Sequence, residues 1–337
     1  MEDDIPKPKI LIIRFSSIGD IVLITPVIRT IKKQVKNAEI HVLTKERNAI
    51  ILLNNTYVDK IHTFKTHTGE VIEELRAEKF SHIIDLQKNL RSIFLSLSLR
   101  KNYSTFTKLN IRKWLLTRFK INIMPDVHIV DRYFKAVKKL NVKNDGLGSD
   151  YFLCEDDFAS IDSLPSNFTN NYVAVVCGSL HATKQIPEDM LVKICKEINS
   201  SIVLLGDKAD RGKAIEVENA VGTKIFNACG VFNLNQTAAI VSKASLIITA
   251  DTGLMHIAAA LQKNIIVIWG NTVPAFGMSA YKPDNATFSI YNFEVTNLKC
   301  RPCSKLGYKC CPQKHFKCMK NQNIHEIVKI ANEIITK

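Results

Sequence analysis

The pattern of apolar and polar positions near the amino terminus predicts a strand, a loop and a helix in that order. Residues 10–13 are a short β-branched apolar run, typical of a strand that is buried on both faces. Residues 16–20 are small or polar and include one glycine, as loops do, and Pro26 fits the first turn of the helix that follows. Because ligands of parallel α/β sheets bind at the carboxyl ends of the strands, this loop is expected to line a crevice. From spacing alone, Asp20 is predicted to be the N-cap of the helix rather than a catalytic group.

The same alternation continues along the first half of the chain. Residues 38–44 and 81–86 are predicted as the second and third strands, and residues 28–35 and 70–78 as the helices that precede them. Alternating strands and helices favour a parallel, doubly wound sheet, so the predicted fold class is α/β.

A second sheet is predicted after a linker. Residues 141–171 are rich in Asn, Asp, Gly and Ser, a composition typical of a domain boundary. The chain of 337 residues is long enough for two domains of the usual size. We expect an N-terminal domain at 1–155, a second domain at 170–320 and a C-terminal helix at 321–337. The elements expected in the second domain are strands at 172–177, 201–205, 244–249 and 265–269, a helix at 187–198 and a helix ending at Leu261.

Composition narrows the class of protein and its partners. The N-terminus is acidic with no apolar h-region, and no apolar run approaches the ~20 residues that a membrane-spanning helix needs, so a cytoplasmic protein is expected. The net charge of +14 favours an anionic partner such as a nucleic acid, an anionic lipid or a phosphorylated substrate. Residues 100–120 hold seven Lys and Arg residues, no acidic residue and several aromatic ones. This segment is predicted to be either a contact with a membrane surface or phosphate-rich ligand, or a solvated helix, and both interpretations remain open.

Residues 250–256 give the strongest local signal for a binding site. Asp251, Thr252 and Gly253 follow an apolar run and open a helix, where unpaired N–H groups and the helix dipole favour a phosphate. The plain alternative is Asp251 as an N-cap in a tight turn. His256 lies one turn further on and either faces the same site or is a core histidine, which is the preferred interpretation. The chain has no G-x-G-x-x-G motif, which argues against a dinucleotide oxidoreductase.

Other charged residues also follow predicted strands. Lys184 lies in a short loop, where its ammonium could neutralise a diphosphate or could simply be solvent-exposed. Asp207 follows the strand predicted at 201–205 and could accept hydrogen bonds from hydroxyl groups of a ligand. Lys88 and Arg91 are candidates for binding an anionic acceptor, although solvated cations at a helix start are the simpler explanation.

Five of the nine cysteines crowd into the segment 300–318. In a cytoplasmic chain such clustering favours zinc over disulfides. Four thiolates can close a tetrahedral site, with His315 as an alternative ligand. A structural zinc is the preferred interpretation, and free thiols are the alternative. The proposed ligands are Cys300, Cys303, Cys311 and Cys318.

Several segments resemble those of one enzyme family, and they occur in order across both halves of the chain. They are FSSIGDIVLITP (15–26), DLQKNLRS (85–92), HIVDRY (128–133), HATKQIPEDM (181–190) and ADTGLMHIAAAL (250–261). These segments are similar to the corresponding ones of the heptosyltransferases, glycosyltransferase family 9. The resemblance implies the GT-B architecture, an α/β fold of two facing Rossmann-like domains with parallel sheets, an N-terminal one for the acceptor and a C-terminal one for the donor.

The resemblance also implies roles for individual residues. Asp20 corresponds to the family's proposed catalytic base and Lys184 to its phosphate-binding lysine, although the chain is shorter before Lys184 than in the family. Asp207 and Asp210 are alternative partners for the ribose hydroxyls, because the family's acidic residue varies in position there. Thr252 and Gly253 are expected to contact phosphate, and Asp251 sugar hydroxyls. The expected donor-binding residues are Thr183, Asp207, Asp251, Thr252, Gly253 and His256, and the expected acceptor-binding residues are Ser17, Gly19, Lys88 and Arg91.

The function implied is inverting transfer of a heptose from ADP-heptose to a lipopolysaccharide core or related surface glycan, with no metal or other cofactor required for catalysis. The expected partners are ADP-heptose, an anionic glycolipid and the cytoplasmic face of the inner membrane, without nucleic acid. Two alternatives are a nucleotide-sugar epimerase of the same architecture and a basic nucleic-acid-binding protein with a cysteine zinc site.

Overall fold

The computed structural model describes residues 7–168 and 171–336. The strands are β1 Lys9–Ile13, β2 Glu39–Lys45, β3 Lys60–Phe64, β4 His82–Asp85, β5 Asn102–Thr105, β6 Val173–Val176, β7 Ile202–Leu205, β8 Ile225–Asn227, β9 Leu246–Ala250, β10 Asn264–Trp269 and β11 Ile290–Glu294. The α-helices are α1 Ile18–Val22, α2 Thr25–Gln34, α3 Ile72–Ala77, α4 Leu90–Ser98, α5 Asn110–Phe119, α6 Ile129–Phe134, α7 Ala159–Asp162, α8 Glu188–Glu197, α9 Arg211–Val221, α10 Leu234–Lys243, α11 Gly253–Ala260, α12 Lys317–Lys320 and α13 Ile324–Ile335. Within the described ranges, none of these helices combines the length and apolarity needed to cross a bilayer.

Some expectations fall on positions outside the described residues. The acidic N-terminus that argued against a signal peptide begins with residues 1–6, which lie outside them. Residues 169 and 170 of the predicted linker and residue 337 of the predicted C-terminal helix lie outside them as well.

The chain divides into two compact units, each built on its own sheet. The first unit comprises Met1–Lys108, Val127–Phe152 and Tyr281–Asn285, and the second comprises Leu109–Asp126, Leu153–Ala280 and Ala286–Lys337. The domain limits expected from the sequence stay a prediction.

The sheet of the first unit has the strand order β3-β2-β1-β4-β5, and all its neighbouring strands are parallel. The central strand β1 is the apolar run predicted from the sequence, with Ile12 opposite Val42 on one side and Ile84 on the other. Residues 10–13 are fully buried, as expected for a strand covered on both faces. The strand order reverses between β1 and β4, so the loops after these two strands lie at a topological switch point.

The sheet of the second unit has the order β11-β10-β9-β6-β7-β8 and is also parallel throughout. Ala174 of β6 lies opposite Val203 on one side and Ile247 on the other. Strands β6, β7, β9 and β10 are the apolar runs predicted for this half of the chain. The strand order reverses between β6 and β9, which places the loops after these two strands at the second switch point.

Four strands of the structure were not predicted from the sequence. The strand predicted as the third of the chain is therefore the fourth. Strand β3 lies between the two strands predicted as second and third, so residues 82–85 form the fourth strand of the chain. β3 was missed because it carries Lys, His and Thr, with only His62 and Phe64 buried. β5, β8 and β11 are edge strands with mixed composition, which lack the continuous apolar run of a central strand.

Candidate active site

The loop after β1 begins helix α1 with Ser17, not with Asp20. Ser17 is the N-cap, and Asp20 occupies the third helical position. The Asp20 carboxylate accepts hydrogen bonds from the Ser17 backbone N–H at 3.0 Å and from Ser17 Oγ at 2.8 Å. The prediction of Asp20 as the N-cap is therefore wrong by three positions. The physical reason is that a serine cap and an acidic residue three positions later close a capping box.

Arg14 holds the Asp20 carboxylate in place from the end of β1. Its Nη2 atom lies 2.5 Å from Asp20 Oδ1, and both side chains are largely buried. The same guanidinium donates to the carbonyls of Ser16 and Leu86 and lies 3.2 Å from the hydroxyl of Tyr133. Leu86 follows β4, so Arg14 connects the two loops of the first switch point.

The surroundings of Asp20 keep it ionised. Burial alone raises the pKa of this carboxyl group, but the charge of Arg14 and the hydrogen bonds from Ser17 outweigh burial and hold the pKa below its usual value. Asp20 is therefore a carboxylate at neutral pH. It can accept a proton there, although a lowered pKa makes it a weaker base.

The loop after β4 is ordered by Asp85. Its carboxylate accepts from the backbone of Gln87 at 2.9 Å and of Lys88 at 2.7 Å, and from Ser92 Oγ at 2.7 Å. The ammonium of Lys88 donates to the Phe106 carbonyl at 2.6 Å, so in this structure it is directed at the backbone.

The expected acceptor-binding residues all follow β1 or β4, the two strands of the first switch point, but they differ in their exposure. Ser17 and Gly19 share the α1 turn with Asp20, and Gly19 is buried. Arg91 is exposed in the first turn of α4.

Lys184 and Asp251 meet at the second switch point. Lys184 ends a short turn that follows β6, and Asp251 follows β9. The Lys184 Nζ atom lies 2.6 Å from Asp251 Oδ2, and both side chains are about one-sixth exposed. Thr272, from the loop after β10, donates through Oγ1 to the same carboxylate oxygen at 2.8 Å. Two residues singled out separately from the sequence therefore form one ion pair.

Helix α11 begins beside this pair. Its N-cap is Thr252, whose Oγ1 accepts from the Met255 N–H at 3.4 Å and lies 3.0 Å from Thr249 Oγ1. The alternative of Asp251 as the N-cap is wrong because its carboxylate is directed at Lys184 and Thr272. Gly253 is the first residue of the helix, so N–H groups of its first turn lie next to the ion pair. His256 is buried within the same helix.

Asp207 and Asp210 occupy different environments after β7. Asp207 is exposed and caps a short turn, accepting from the Ala209 N–H at 2.7 Å. Asp210 is buried, accepts from the Asp207 N–H at 2.9 Å, and packs so closely on Gly178 that a Cβ there would lie 1.7 Å from its Oδ2. Burial raises the pKa of Asp210. Only Asp207 is therefore open to a ligand in this conformation.

The cysteine-rich segment braces the loops of the second site. Thr183 is buried, and its Oγ1 accepts from the Tyr308 N–H at 2.8 Å. Arg301 donates to the carbonyls of Gly270 at 2.8 Å and Thr272 at 2.9 Å, and pairs with Glu294 at 2.7 Å. Residues 301–308 therefore fix both the turn that carries Lys184 and the loop that carries Thr272.

The cysteine thiols are near one another without forming a closed site. Cys300 Sγ lies 3.8 Å from His315 Nε2, and Cys310 is exposed. Burial, together with the neighbouring thiols of Cys303 and Cys311, raises the pKa of Cys318 to about 11. Across the part of the chain that is described, the potential ligand atoms that all lie within 4.8 Å of one another belong to His41, His62 and Glu78.

That histidine-containing group is better explained as a charge network. His41 Nδ1 and His62 Nε2 are 2.8 Å apart. The Glu78 carboxylate is held by the ammonium groups of Lys9 and Lys60, each at 2.6 Å. Two cations on the only carboxylate of the group oppose the binding of a metal cation.

Sequence reasoning missed four side chains of these sites. Arg14 was not considered, although a charged residue directly after a strand at a switch point was a usable signal. Tyr133, Thr272 and Arg301 are distant in sequence from the residues they contact, and no local pattern indicates such contacts.

Each unit thus carries polar side chains at the switch point of a doubly wound parallel sheet, the arrangement of Rossmann-like ligand-binding proteins. The model of glycosyltransferase family 9 (heptosyltransferase) matches residues 68–309. The chain therefore belongs to glycosyltransferase family 9, the heptosyltransferase family.

Individual relatives agree with this assignment. The chain is 26% identical over 315 residues to lipopolysaccharide heptosyltransferase 1 of Campylobacter coli, covering 86% of this chain and 92% of that protein. The glycosyltransferase family 9 structure from Veillonella parvula is similar with a TM-score of 0.78 and 18% identity, covering 98% of this chain and 97% of that chain. The ADP-heptose lipopolysaccharide heptosyltransferase II of Escherichia coli is similar with a TM-score of 0.73 and 18% identity, covering 97% and 98%.

These findings confirm two predictions. The fold class is α/β with two parallel sheets, and its likeness to heptosyltransferase structures over nearly the whole chain confirms the GT-B assignment. The protein is a glycosyltransferase that uses a nucleotide sugar, as the family resemblance implied. The epimerase and nucleic-acid-binding alternatives are not favoured by the family match.

Proposed function

We propose that this protein is an inverting heptosyltransferase that moves a heptose from ADP-heptose to a lipopolysaccharide core or related surface-glycan acceptor, without a catalytic metal. Two relatives support the substrates, since one is named a lipopolysaccharide heptosyltransferase and the other an ADP-heptose lipopolysaccharide heptosyltransferase. The observation that carries the proposal is the Lys184–Asp251 pair, 2.6 Å apart beside the start of α11. It supports the proposal because an ammonium group beside a helix start is suited to binding the diphosphate of a nucleotide sugar.

In the proposed reaction, Asp20 takes the proton of an acceptor hydroxyl. The hydroxyl oxygen bonds to the anomeric carbon of the heptose from the face opposite the diphosphate, so the configuration inverts. The bond between that carbon and the diphosphate oxygen breaks, and ADP leaves with the electron pair. Because the lowered pKa makes Asp20 a weak base, we expect proton transfer to occur late, when the attacking oxygen has become acidic.

The departing diphosphate is stabilised by groups of the second unit. Lys184 would exchange its partner, leaving Asp251 for the diphosphate, and Asp251 would become free to accept from a sugar hydroxyl. The N–H groups of Thr252 and Gly253 would donate to phosphate oxygens at the positive end of α11. Asp207 is assigned to the ribose hydroxyls because it is exposed whereas Asp210 is buried. Thr183 would act by positioning the turn of Lys184 through its hydrogen bond to Tyr308.

The acceptor is proposed to be an anionic glycolipid bound at the first unit by Ser17, Gly19, Lys88 and Arg91. Lys88 would have to leave the Phe106 carbonyl to serve this role. A cytoplasmic location with peripheral contact to the inner membrane is proposed on the same basis.

The donor assignment is tested by thermal shift of the purified protein against ADP, UDP, GDP and CDP, with and without EDTA. A ligand that binds only the native state raises the melting temperature by mass action. A shift that is selective for ADP and unchanged by EDTA supports the proposal. A larger shift with another nucleoside diphosphate, or an ADP shift that EDTA abolishes, would contradict the donor or the metal independence.

We also propose that Cys300, Cys303, Cys311 and Cys318 hold a structural zinc ion. The support is chemical: four soft ligands, of which Cys300 and Cys303 have C-x-x-C spacing, and a segment from residue 295 to 317 that contains no acidic residue but several cations. Those cations would stabilise the net negative charge of a zinc tetrathiolate. The ion would draw the thiols closer together than they lie here, and His315 is the alternative ligand near Cys300.

A further inference from the structure

Helix α4 exposes several large apolar side chains on its outer face, while Leu95 is buried on its inner face. Leu90, Phe94 and Leu97 are 73%, 67% and 65% exposed, and their spacing places them on one face of the helix. Two serines lie on the inner face: Ser92 donates to Asp85 at 2.7 Å, and Ser96 donates to the Ser92 carbonyl at 2.8 Å. We call the exposed residues 90, 94 and 97 the α4 stripe. An ordinary surface helix directs mainly polar and charged side chains outward, so the α4 stripe indicates an interaction surface.

The second unit carries a comparable surface on α5 and the residues that follow it. Its members are large apolar side chains between 48% and 75% exposed: Ile111, Trp114, Phe119, Ile121 and Ile123. Trp114 and Phe119 contact each other edge to face, with ring centroids 5.1 Å apart. We call these five residues the α5 patch.

Lysines on the other side of α5 attach it to the second unit. Lys113 lies 3.8 Å from Met278 Sδ and 5.7 Å from the centre of the Phe276 ring. Lys120 donates to the carbonyls of Cys300 at 3.2 Å and Pro302 at 2.6 Å. The helix is therefore held against its unit while the α5 patch stays exposed.

The charged residues of the segment that carries both surfaces are all cations. Residues 86–125 contain no Asp or Glu. Of the large apolar side chains that are exposed in the described residues, half lie between positions 90 and 123. The cations of this stretch are Lys88, Arg91, Arg100, Lys101, Lys108, Arg112, Lys113, Arg118 and Lys120.

From these observations we propose that the α4 stripe and the α5 patch are each a docking surface for a lipid bilayer that contains anionic lipids. Exposed leucine, isoleucine and aromatic side chains enter the boundary between headgroups and acyl chains, and Lys and Arg beside them pair with lipid phosphates. A second copy of the chain is a poorer partner, because two copies of a segment that is rich in cations and contains no Asp or Glu repel each other. Nucleic acid is also a poorer partner, because it offers no acyl region for aliphatic side chains. The proposal specifies the membrane contact of the proposed function but needs neither donor nor acceptor to be tested.

The test is flotation of the full-length protein with vesicles of phosphatidylcholine alone or mixed with phosphatidylglycerol, without any glycolipid. We expect binding to the mixed vesicles at low salt, weaker binding at high salt, and little binding to phosphatidylcholine alone. The double variant Phe94→Ser/Leu97→Ser and the variant Trp114→Ser should each reduce partitioning by roughly tenfold or more, since each removes a large apolar contact with the bilayer. Leu53→Ser and Ile215→Ser, which change exposed apolar residues elsewhere on each unit, are the matched controls and should float like the wild type.

Three results would overturn the proposal. One is absence of binding to the mixed vesicles at low salt. Another is binding that is unaffected by all three stripe and patch substitutions. The third is a wild-type dimer in sedimentation that the same substitutions convert to a monomer, which would assign the surfaces to self-association. Because the vesicles carry no substrate, failure here would leave the proposed transfer reaction untouched.

Discussion

The chemistry available to Asp20 is set by two neighbouring side chains. Ser17 supplies two hydrogen bonds and Arg14 an ion pair, so the carboxylate is ionised and fixed in direction before the proposed reaction begins. Fixing a base in this way removes the entropic cost of orienting it during catalysis. General-base assistance of this kind contributes roughly 10²–10⁴-fold to a reaction rate.

The substitution Arg14→Gln tests how the pKa of Asp20 is controlled. Burial raises this pKa and the charge of Arg14 lowers it, so removing the charge should raise the pKa. Since the base must be deprotonated, the acid limb of kcat/KM should move to higher pH in the variant. A pH profile of donor consumption measures the shift, and Arg14→Lys, which keeps the charge, is the control. An acid limb in Arg14→Gln at the wild-type position would show that another group governs it.

The same pair makes a prediction for stability. The pKa of Asp20 is lower in the folded protein than in the unfolded chain, so its contribution to stability is present above the unfolded pKa. That contribution is lost as the pH falls through the folded pKa. Asp20→Asn should therefore flatten the acid side of a plot of melting temperature against pH. A plot parallel to that of the wild type would contradict the ion pair.

The role of Lys184 in binding the donor can be tested by substitution. Lys184→Met should weaken ADP binding by roughly ten- to hundredfold, because it removes a charged hydrogen-bond donor and leaves Asp251 to repel the diphosphate. Titration calorimetry with ADP measures the loss, and Lys193→Met, on an exposed position of α8, is the control. The double variant Lys184→Met/Asp251→Asn should recover part of the affinity. Unchanged ADP affinity in the single variant would remove Lys184 from the site.

At the scale of elements, central strands can be predicted from the sequence more accurately than edge strands. β1, β6, β9 and β10 are apolar runs buried on both faces, and the sequence predicts each of them within two residues. β5 and β11 are edge strands, and their mixed composition is also that of a loop. Order within the sheets follows from long-range packing, which no local pattern specifies.

The candidate active site can also be predicted only in part from the sequence. Asp20, Lys184 and Asp251 could be singled out because each follows a strand or opens a helix. The Lys184–Asp251 pair itself joins residues on two different loops, and Arg301 reaches back to the carbonyls of Gly270 and Thr272. Such contacts depend on how the elements pack. The sequence therefore indicates which residues belong to the site but not which residues contact each other.

The cysteine-rich segment makes a prediction at this scale. The purified protein should contain about one zinc ion per chain, as expected for a closed four-ligand site. Cys303→Ser should lose the metal and lower the melting temperature, because that segment braces the turn that carries Lys184. Cys310→Ser is the matched control, since Cys310 is exposed and is not a proposed ligand. Metal analysis that finds no zinc in the wild type, or equal zinc in both variants, would contradict the site.

At the scale of the whole molecule, each of the two units supplies different chemical groups to the proposed reaction. The first unit offers an ionised carboxylate for the acceptor, and the second offers an ammonium group and a helix start for the diphosphate. The net charge of +14 matches substrates that are anionic on both sides, a nucleoside diphosphate sugar and a phosphorylated glycolipid. Membership of family 9 explains why both units carry such sites. A direct measurement of transfer identifies the particular sugar and acceptor.

The most direct measurement is transfer from ADP-heptose to a lipopolysaccharide core that lacks heptose, in a buffer without added divalent metal, followed by mass spectrometry of the glycolipid and by ADP release. We expect the wild-type protein to add one heptosyl residue and to release ADP in equal amount. Asp20→Asn should bind ADP as the wild type does but transfer at least roughly 100-fold more slowly, the range expected on losing a general base. Absence of transfer by the wild type to such cores, or near-normal turnover by Asp20→Asn, would contradict the account.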